Sequence, residues 1–170
     1  GARPIRVAVN LSGRQFASEG LLDEIDAALA DSDLPVDSLE LEITESMVMS
    51  DPESVIRLLG AIHDKGIHIA LDDFGTGHSS LAYLKRFPID CLKVDRAFIK
   101  DTPENTDDVA IAKTIIAMAQ ALGLSTVAEG VETSAQRELM QELGCEQIQG
   151  YFFSRPLAAD DFLSYYRAQS

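Results

Sequence analysis

Residues 71–77 of this 170-residue chain read Leu-Asp-Asp-Phe-Gly-Thr-Gly. The largely apolar run Ile67–Leu71 predicts a short buried strand that ends on two adjacent carboxylates. Neighbouring side chains on a strand point to opposite faces, but at a strand end, where the chain turns, both can aim at one point. Gly75 and Gly77 permit the sharp turn that this requires. Two acidic groups held together repel each other, which indicates a divalent cation site or, alternatively, a solvated turn with an Asx cap.

Five further segments end in a similar way. Each is an apolar or alternating run at the strand period, and each carries an amide, a carboxylate or an ammonium group near its carboxyl end. These segments are Arg6–Asn10, Leu39–Glu45, Cys91–Asp95, Ser125–Glu129 and Cys145–Tyr151. Together with the strand before Asp72, they predict six strands with polar ends.

Helical patterns alternate with these strands. Capping signals predict helices that begin near Ser18, at Asp51-Pro52, at Ser79 or Ser80, at Asp107 or Asp108 and at Thr133, and a last amphipathic helix carries Phe162 and Tyr166. Strand and helix alternating along a chain imply parallel strands joined by right-handed crossovers. In such folds the loops that follow the strands share one face, so the six polar ends should meet at one mouth.

The predicted fold class is therefore α/β. A doubly wound open sheet also binds ligands at the carboxyl ends of its strands, but polar residues on every strand favour a TIM-like (β/α) barrel. A complete barrel needs about 250 residues, whereas this chain has 170 and about six units. We expect a single domain over residues 1–170 that is a barrel lacking its first strand region. The strand before Asn10 and the last strand near Gln149 should then be covered by a second copy, as a homodimer or a swapped assembly.

The composition excludes several classes of protein. With 28 acidic and 14 basic residues, the formal charge of −14 argues against a nucleic-acid polymer or an anionic membrane as partner. It also means that a phosphate-bearing substrate needs metal ions to screen the site. No apolar run approaches transmembrane length, no signal-peptide pattern opens the chain, and Cys91 and Cys145 are predicted to be buried thiols. We therefore expect a cytoplasmic protein.

Six motifs, in this order and spacing, resemble those of the EAL domain, the cyclic di-GMP phosphodiesterases of bacterial signalling. They are Val9–Ser12, Leu41–Ser46, Asp72–Gly77, Leu92–Asp95, Ala128–Glu132 and Gln149–Tyr151 followed by Ser154–Pro156. The match runs from about Val7 to about Phe162. The resemblance implies a TIM-like barrel with one antiparallel strand, and it implies hydrolysis of cyclic di-GMP to linear pGpG.

The resemblance also implies roles for individual residues. It implies Asn10, Glu42 and Asp72 as ligands of one metal ion, and Asp72, Asp73 and Glu129 as ligands of a second. All of these donors are oxygen atoms, which suits Mg²⁺ or Mn²⁺. Two such ions activate a water and stabilise the leaving oxygen of an in-line displacement at phosphorus.

Lys93 matches the lysine that the family places near the attacking water. The nearby carboxylates should raise its pKa, so we expect electrostatic stabilisation or water positioning rather than a general base. The alternative is a purely internal ion pair with Asp72 or Glu129. The resemblance implies that Glu45 anchors the 72–77 loop. It also implies supporting or substrate-side roles for Glu132 and Gln149. For each of these three residues an ordinary loop hydrogen bond is the alternative.

One departure from the family concerns its defining motif. No Glu-Ala-Leu triplet occurs in this sequence, whereas the family carries it upstream of the position of Asn10. Its glutamate completes the first metal's ligands, and a following arginine contacts the substrate phosphate. We therefore expect this chain to hydrolyse cyclic di-GMP weakly or not at all. The alternatives are a non-catalytic cyclic di-GMP receptor or signalling interaction module and, from another class, a barrel aldolase with Lys93 as its Schiff base, which the carboxylates disfavour.

Overall fold

The computed structural model describes residues 5–77 and 81–169, and a six-stranded sheet lies at its centre. Its strands are β1 (Val7–Asn10), β2 (Leu39–Thr44), β3 (His68–Phe74), β4 (Cys91–Val94), β5 (Ser125–Ala128) and β6 (Gln147–Ile148). Strands that follow each other in sequence are neighbours in the sheet, and all five pairings are parallel. The predicted α/β class and the six strands are confirmed. The antiparallel strand that the resemblance implies is not among the described strands.

The sheet is curled into part of a barrel. Arg6 and Ala8 at one edge line the same cavity as Gln147 and Gln149 at the other edge, together with Lys93 from the middle of the sheet. One face of the sheet is therefore concave, and the crossover helices lie on the other side. This curvature brings the carboxyl ends of non-neighbouring strands together.

Helices connect the strands and bury the outer face of the sheet. They are α1 (Gly13–Phe16), α2 (Leu21–Ser32), α3 (Glu45–Met49), α4 (Pro52–His63), α5 (Leu81–Leu84), α6 (Thr106–Leu122), α7 (Ser134–Glu142) and α8 (Ala159–Gln169). Two short 3₁₀ turns add Val36–Ser38 and Arg96–Phe98. Fully buried apolar side chains from both layers form one core, among them Ile43, Leu59, Ile69, Leu92 and Ile116.

The predicted helix starts at Asp51 and Thr133 are confirmed, the one near Ser18 lies three residues before α2, and the one at Asp107 or Asp108 lies one or two residues inside α6. Asp51 caps α4 and Thr133 opens a capping box at α7, as predicted. The N-cap of α2 is Gly20 rather than Ser18, and the hydroxyl of Ser18 accepts a hydrogen bond from the amide of Gly20. The long helix α6 takes its cap from Asn105, whose side-chain oxygen accepts from the first helical amides, so it begins before the predicted aspartates. The cap predicted at residue 79 or 80 lies outside the described residues.

Three strand ends differ from the prediction. β3 continues through Phe74, so the two aspartates lie inside the strand rather than after it. β2 stops at Thr44, and Glu45 opens α3 instead of extending the strand. β6 contains only Gln147–Ile148, because the chain then turns back on the loop after β5, where the amide of Phe152 donates to the carbonyl of Val131.

The two edges of the sheet remain exposed. On β1 the side chains of Val7 and Val9 are 45% and 41% exposed, and they border an apolar groove beside α2. Beyond β6, Tyr151, Phe153 and Phe162 are also exposed. Among the described residues, no helix combines the length and apolar character that a bilayer crossing requires.

Candidate active site

Lys93 lies at the centre of a cluster of carboxylates at the mouth of the curled sheet. Its ammonium nitrogen is 2.7 Å from Glu42 Oε1, 2.6 Å from Glu129 Oε1 and 3.3 Å from Asp72 Oδ2. The lysine side chain is only 4% exposed, and its three partners are largely buried. Glu42 on β2 lies 51 positions before Lys93, and Glu129, after β5, lies 36 positions beyond it. These two residues and Asp72 on β3 therefore meet at one point, as the polar strand ends predicted.

The backbone of β3 explains how two adjacent aspartates reach this mouth. Asp73 has φ of +56°, in the left-handed region, and the pairing with β4 shifts in register between Leu71 and Phe74. A side chain in regular strand geometry would point to the opposite face from that of its neighbour. The bulge and the left-handed residue remove this alternation, and the amide of Asp73 donates to Asp72 Oδ1 at 2.8 Å. The strain is placed where two carboxylates need to be close.

The electrostatics of the cluster show an excess of negative charge. Burial works against a charged Lys93, but hydrogen bonds to Glu129 and Glu42 and the charges of Glu129 and Asp72 outweigh it and raise the lysine pKa, in the predicted direction. Burial raises the pKa of Glu129, and the negative charges of Asp72 and Glu42 raise it further, while the hydrogen bond and charge of Lys93 lower it. Burial also raises the pKa of Asp73, as do the neighbouring charges of Asp72 and Asp95. One ammonium group does not neutralise this set of carboxylates.

Glu45 holds the glycine-rich loop after β3. Its Oε2 accepts hydrogen bonds from the amides of Gly75 at 2.9 Å and Gly77 at 3.4 Å. The side chain is 2% exposed, and a side chain at Gly77 would collide with its carboxylate. The described residues provide no hydrogen-bond partner for Glu45 Oε1. The buried carboxylate thus fixes the turn that leads away from the two aspartates.

The remaining predicted residues lie around the cluster rather than inside it. Asn10 ends β1 in register with Glu42, on the exposed edge of the sheet. Gln149 follows β6 and borders a cavity of about 210 Å³ that also reaches Glu42 and Lys93. Glu132 does not join the carboxylates around Lys93, because it forms an ion pair elsewhere, with Arg96.

Two groups in this region were missed in the sequence. Arg96 follows the Lys-Val-Asp motif directly, and its position beside a candidate catalytic motif was the available signal. Gln136 is buried and accepts hydrogen bonds from the amides of Glu132 and Thr133, while it donates to the carbonyl of Lys100. Only the capping-box spacing pointed to it, and that spacing predicted a helix start rather than support for a site.

The donor set has the chemistry of a site for hard divalent cations. The candidate ligands Asn10, Glu42, Asp72, Asp73 and Glu129 offer only oxygen atoms. Their carboxylates are crowded, partly desolvated and under-neutralised, which a cation would relieve. In residues 5–77 and 81–169, no three His, Cys, Asp or Glu side chains surround one point as metal ligands. Three of the carboxylates turn toward the lysine instead.

Comparisons with known proteins agree with this architecture. The model of the EAL domain family matches residues 1–156. The cyclic di-GMP phosphodiesterase NbdA of Pseudomonas aeruginosa is 48% identical over 170 residues, which is 98% of this chain and 22% of NbdA. The solved structure of the PaMucR phosphodiesterase in complex with c-di-GMP has a TM-score of 0.89 at 45% identity, and the match covers 92% of this chain and 64% of that one.

A further solved structure is informative about metal ions. The manganese/cy-diGMP complex of Klebsiella pneumoniae BlrP1 has a TM-score of 0.81 at 32% identity, over 89% of this chain and 39% of that chain. The chain spans about a fifth of the length of the first curated relatives that it matches.

Proposed function

The chain belongs to the EAL domain family, and from this premise we propose that it carries most of a metal-dependent site that hydrolyses cyclic di-GMP to linear pGpG. The observation that carries the proposal is the cluster of Glu42, Asp72 and Glu129 around the ammonium of Lys93, with Asp73 beside it. Relatives that bear the name of this activity, and a relative solved with the dinucleotide, support the choice of substrate.

The proposed cofactor is a pair of Mg²⁺ or Mn²⁺ ions. Asn10, Glu42 and Asp72 would hold one ion, and Asp72, Asp73 and Glu129 the other. When bound, such a pair supplies an activated water and charge stabilisation at phosphorus. The negative charge of the chain makes this screening necessary, because a substrate with two phosphodiesters would otherwise be repelled.

The protein's own groups divide the remaining work. Lys93 stays protonated because its pKa is raised, so it donates hydrogen bonds and holds positive charge where negative charge develops. The same raised pKa disfavours the neutral amine that a Schiff-base aldolase needs. Glu45 keeps the loop after β3 in place, and Gln149 lines the cavity on the side where a substrate would lie.

The 170 residues contain no Glu-Ala-Leu triplet, which in the family supplies a further metal ligand. The loss of one ligand or its support commonly costs about 10–100-fold in metal affinity or activity. We therefore propose that this chain alone hydrolyses cyclic di-GMP weakly or not at all. A non-catalytic cyclic di-GMP receptor is the second candidate function.

Product analysis with a matched control separates the two candidates. The chain is incubated with cyclic di-GMP and Mn²⁺, linear pGpG is quantified by chromatography, and binding is measured in parallel with Ca²⁺. A version extended upstream with the Glu-Ala-Leu strand of a relative should turn over faster, and Asp72→Ala should abolish that turnover. Asp26→Ala is the control, because Asp26 forms an exposed ion pair with Lys65. Tight binding without turnover in the extended version would establish the receptor instead.

A second copy of the chain is the partner that we propose for the exposed sheet edges. Val7 and Val9 on β1 and the aromatic residues beyond β6 leave backbone and apolar groups uncovered. Light scattering should show a dimer at high concentration. A monomer that binds no hydrophobic dye would contradict this.

The cytoplasm remains the compartment that we propose. Cys91 and Cys145 are both buried free thiols, and burial raises the pKa of each, for Cys91 to about 11. Inert, unpaired thiols suit a reducing compartment.

A further inference from the structure

Arg96 connects two of the loops that form the mouth of the sheet. It lies two residues after β4, and its Nη2 donates to Glu132 Oε1 at 2.7 Å. Glu132 belongs to the loop after β5, three residues beyond Glu129. The ion pair therefore joins the strand end that carries Lys93 to the loop that begins with a candidate metal ligand.

The side chain of Arg96 also packs against this loop. Gly130, directly after Glu129, has φ of +68°, and a Cβ atom built on it would lie 2.7 Å from Arg96 Cδ and 2.8 Å from Arg96 Cβ. The aliphatic part of the arginine thus occupies the space that any other residue's side chain would need. Gly130 serves close packing here as well as the left-handed conformation.

Other contacts fix the far side of the same loop. Gln136 accepts from the amide of Glu132 at 2.8 Å, and the amide of Val131 donates to the carbonyl of Gln149 at 3.1 Å. These bonds face α7 and β6. On the side of the loop that faces β4, the contacts with Gly130 and Glu132 come from Arg96, which follows that strand.

We propose that Arg96 is a positioning residue of the phosphodiesterase site, which keeps the Glu129–Glu132 backbone in the conformation that aims Glu129 at a bound metal ion. This inference rests on the proposed function, since it requires that Glu129 binds a metal. Arg96 itself touches neither the ion nor the reacting atoms in this role. A cavity of about 240 Å³ separates it from Tyr151 and Gln149 on the other side.

The sign of the effect distinguishes positioning from a simple charge effect. Arg96 carries the same charge sign as a metal ion, so removing it would, through electrostatics alone, raise the affinity for Mn²⁺. Loss of positioning lowers that affinity. Arg96→Gln should therefore weaken Mn²⁺ binding although it removes a repulsive charge.

The test measures Mn²⁺ affinity of the full chain by electron paramagnetic resonance titration, at one pH and without substrate. Arg96→Gln should weaken Mn²⁺ binding by roughly three- to tenfold. This is at or below the low end of the roughly 10–100-fold loss that removal of a supporting residue commonly causes, because the ion pair is half exposed. Arg96→Lys keeps the charge and most of the aliphatic stem, so it should stay within about twofold of the parent chain. Arg86→Gln is the matched control, since Arg86 forms an ion pair with Glu53.

A charge-neutral variant perturbs the same contact from the side of Gly130, where alanine also strains the left-handed backbone. Gly130→Ala displaces the arginine stem without altering the net charge, and it should weaken Mn²⁺ binding in the same direction. Circular dichroism and the thermal midpoint show which variants are folded.

Each outcome decides the matter. Weaker binding in Arg96→Gln and Gly130→Ala, with Arg96→Lys and Arg86→Gln near the parent, supports the proposal. Equal or tighter binding in Arg96→Gln overturns the proposal alone and leaves the proposed function standing. A parent chain that binds no Mn²⁺ overturns the proposed function, and the positioning role with it. If Arg96→Gln does not fold, Arg96→Met, which keeps the aliphatic stem and removes the ion pair, takes its place under the same criterion.

Discussion

Lys93→Met is the substitution for which the structure predicts the largest effect. Lys93 is buried and forms ion pairs with Glu42, Asp72 and Glu129, so methionine would fill similar volume while leaving three carboxylates without a counter-charge. Breaking a buried ion pair by removing one partner typically costs about 3–5 kcal/mol. We expect a loss in this range at about pH 8, where the carboxylates are ionised. This is a large fraction of the roughly 5–15 kcal/mol that stabilises an ordinary domain.

Mn²⁺ should reverse much of this loss. In the parent chain Lys93 contacts the carboxylate oxygens that would bind a metal in the proposed site, so it would compete with that metal, and in Lys93→Met this competition would be absent. The variant should therefore bind Mn²⁺ more tightly than the parent and gain more stability from it, yet it should not hydrolyse cyclic di-GMP. A ligand stabilises a protein only as far as it binds the folded state more tightly than the unfolded state. The rise in the free energy of unfolding on addition of Mn²⁺ therefore reports the affinity of the folded chain for Mn²⁺.

Urea unfolding with and without Mn²⁺ measures both effects. Lys65→Met is the control, because Lys65 forms an exposed pair with Asp26 that should contribute only about 0–1 kcal/mol. Lowering the pH should reduce the cost of Lys93→Met, because Glu129 already has a raised pKa and takes up a proton readily. If Lys93→Met proves as stable as Lys65→Met at about pH 8, or if Mn²⁺ stabilises it less than the parent, the account of the cluster is wrong.

Three further predictions concern the surroundings of the cluster. Glu45→Gln should destabilise the chain by about 1–2 kcal/mol in urea unfolding, because it weakens charge-assisted bonds to the loop amides, the shortest from Gly75; an unchanged midpoint would argue against the anchor. The pKa of Asp73 is raised in the folded state, so the stability that this group contributes is fully present below its unfolded pKa of about 4 and is lost as the pH rises through its folded pKa. Thermal melts of the metal-free parent should therefore show a gain in stability on acidification, and Asp73→Asn should lack this gain. Mn²⁺ should bind more weakly as the pH falls through the same range. Gly150→Ala would place its Cβ against the backbone of Val131, so it should lower the thermal midpoint strongly, and a midpoint equal to the parent's would contradict the packing.

The polar strand ends show how far the sequence could predict this site. Asp72 and Glu129 each follow a short apolar run and Lys93 lies near the end of one, and a parallel sheet brings the carboxyl ends of such runs to one edge. Periodicity and the order of the motifs were therefore sufficient to predict that these three residues meet. The distances between their side chains could not be predicted, because whole helices separate these three residues in the chain.

The backbone of β3 shows where the prediction stopped. The sequence indicated a turn at the glycines after Asp73, but the structure extends the strand and obtains the shared orientation from a register shift and a left-handed Asp73. An aspartate in this conformation is held by its surroundings rather than by its own propensity. The same holds for Arg96, whose place depends on the contact with Gly130 across two loops that no local pattern encodes.

The ratio of charges distinguishes this cluster from the structural ion pairs of the same chain. Lys65 pairs with Asp26 and Arg86 with Glu53, one cation to one carboxylate, on the surface where such pairs contribute little. Lys93 instead faces three carboxylates in a buried mouth, where each additional negative charge costs the metal-free fold free energy. A sequence selected for stability alone would match the charges or replace them by apolar side chains. The uncompensated charge therefore supports the proposed binding of divalent cations at this site, which titration with Mn²⁺ would measure.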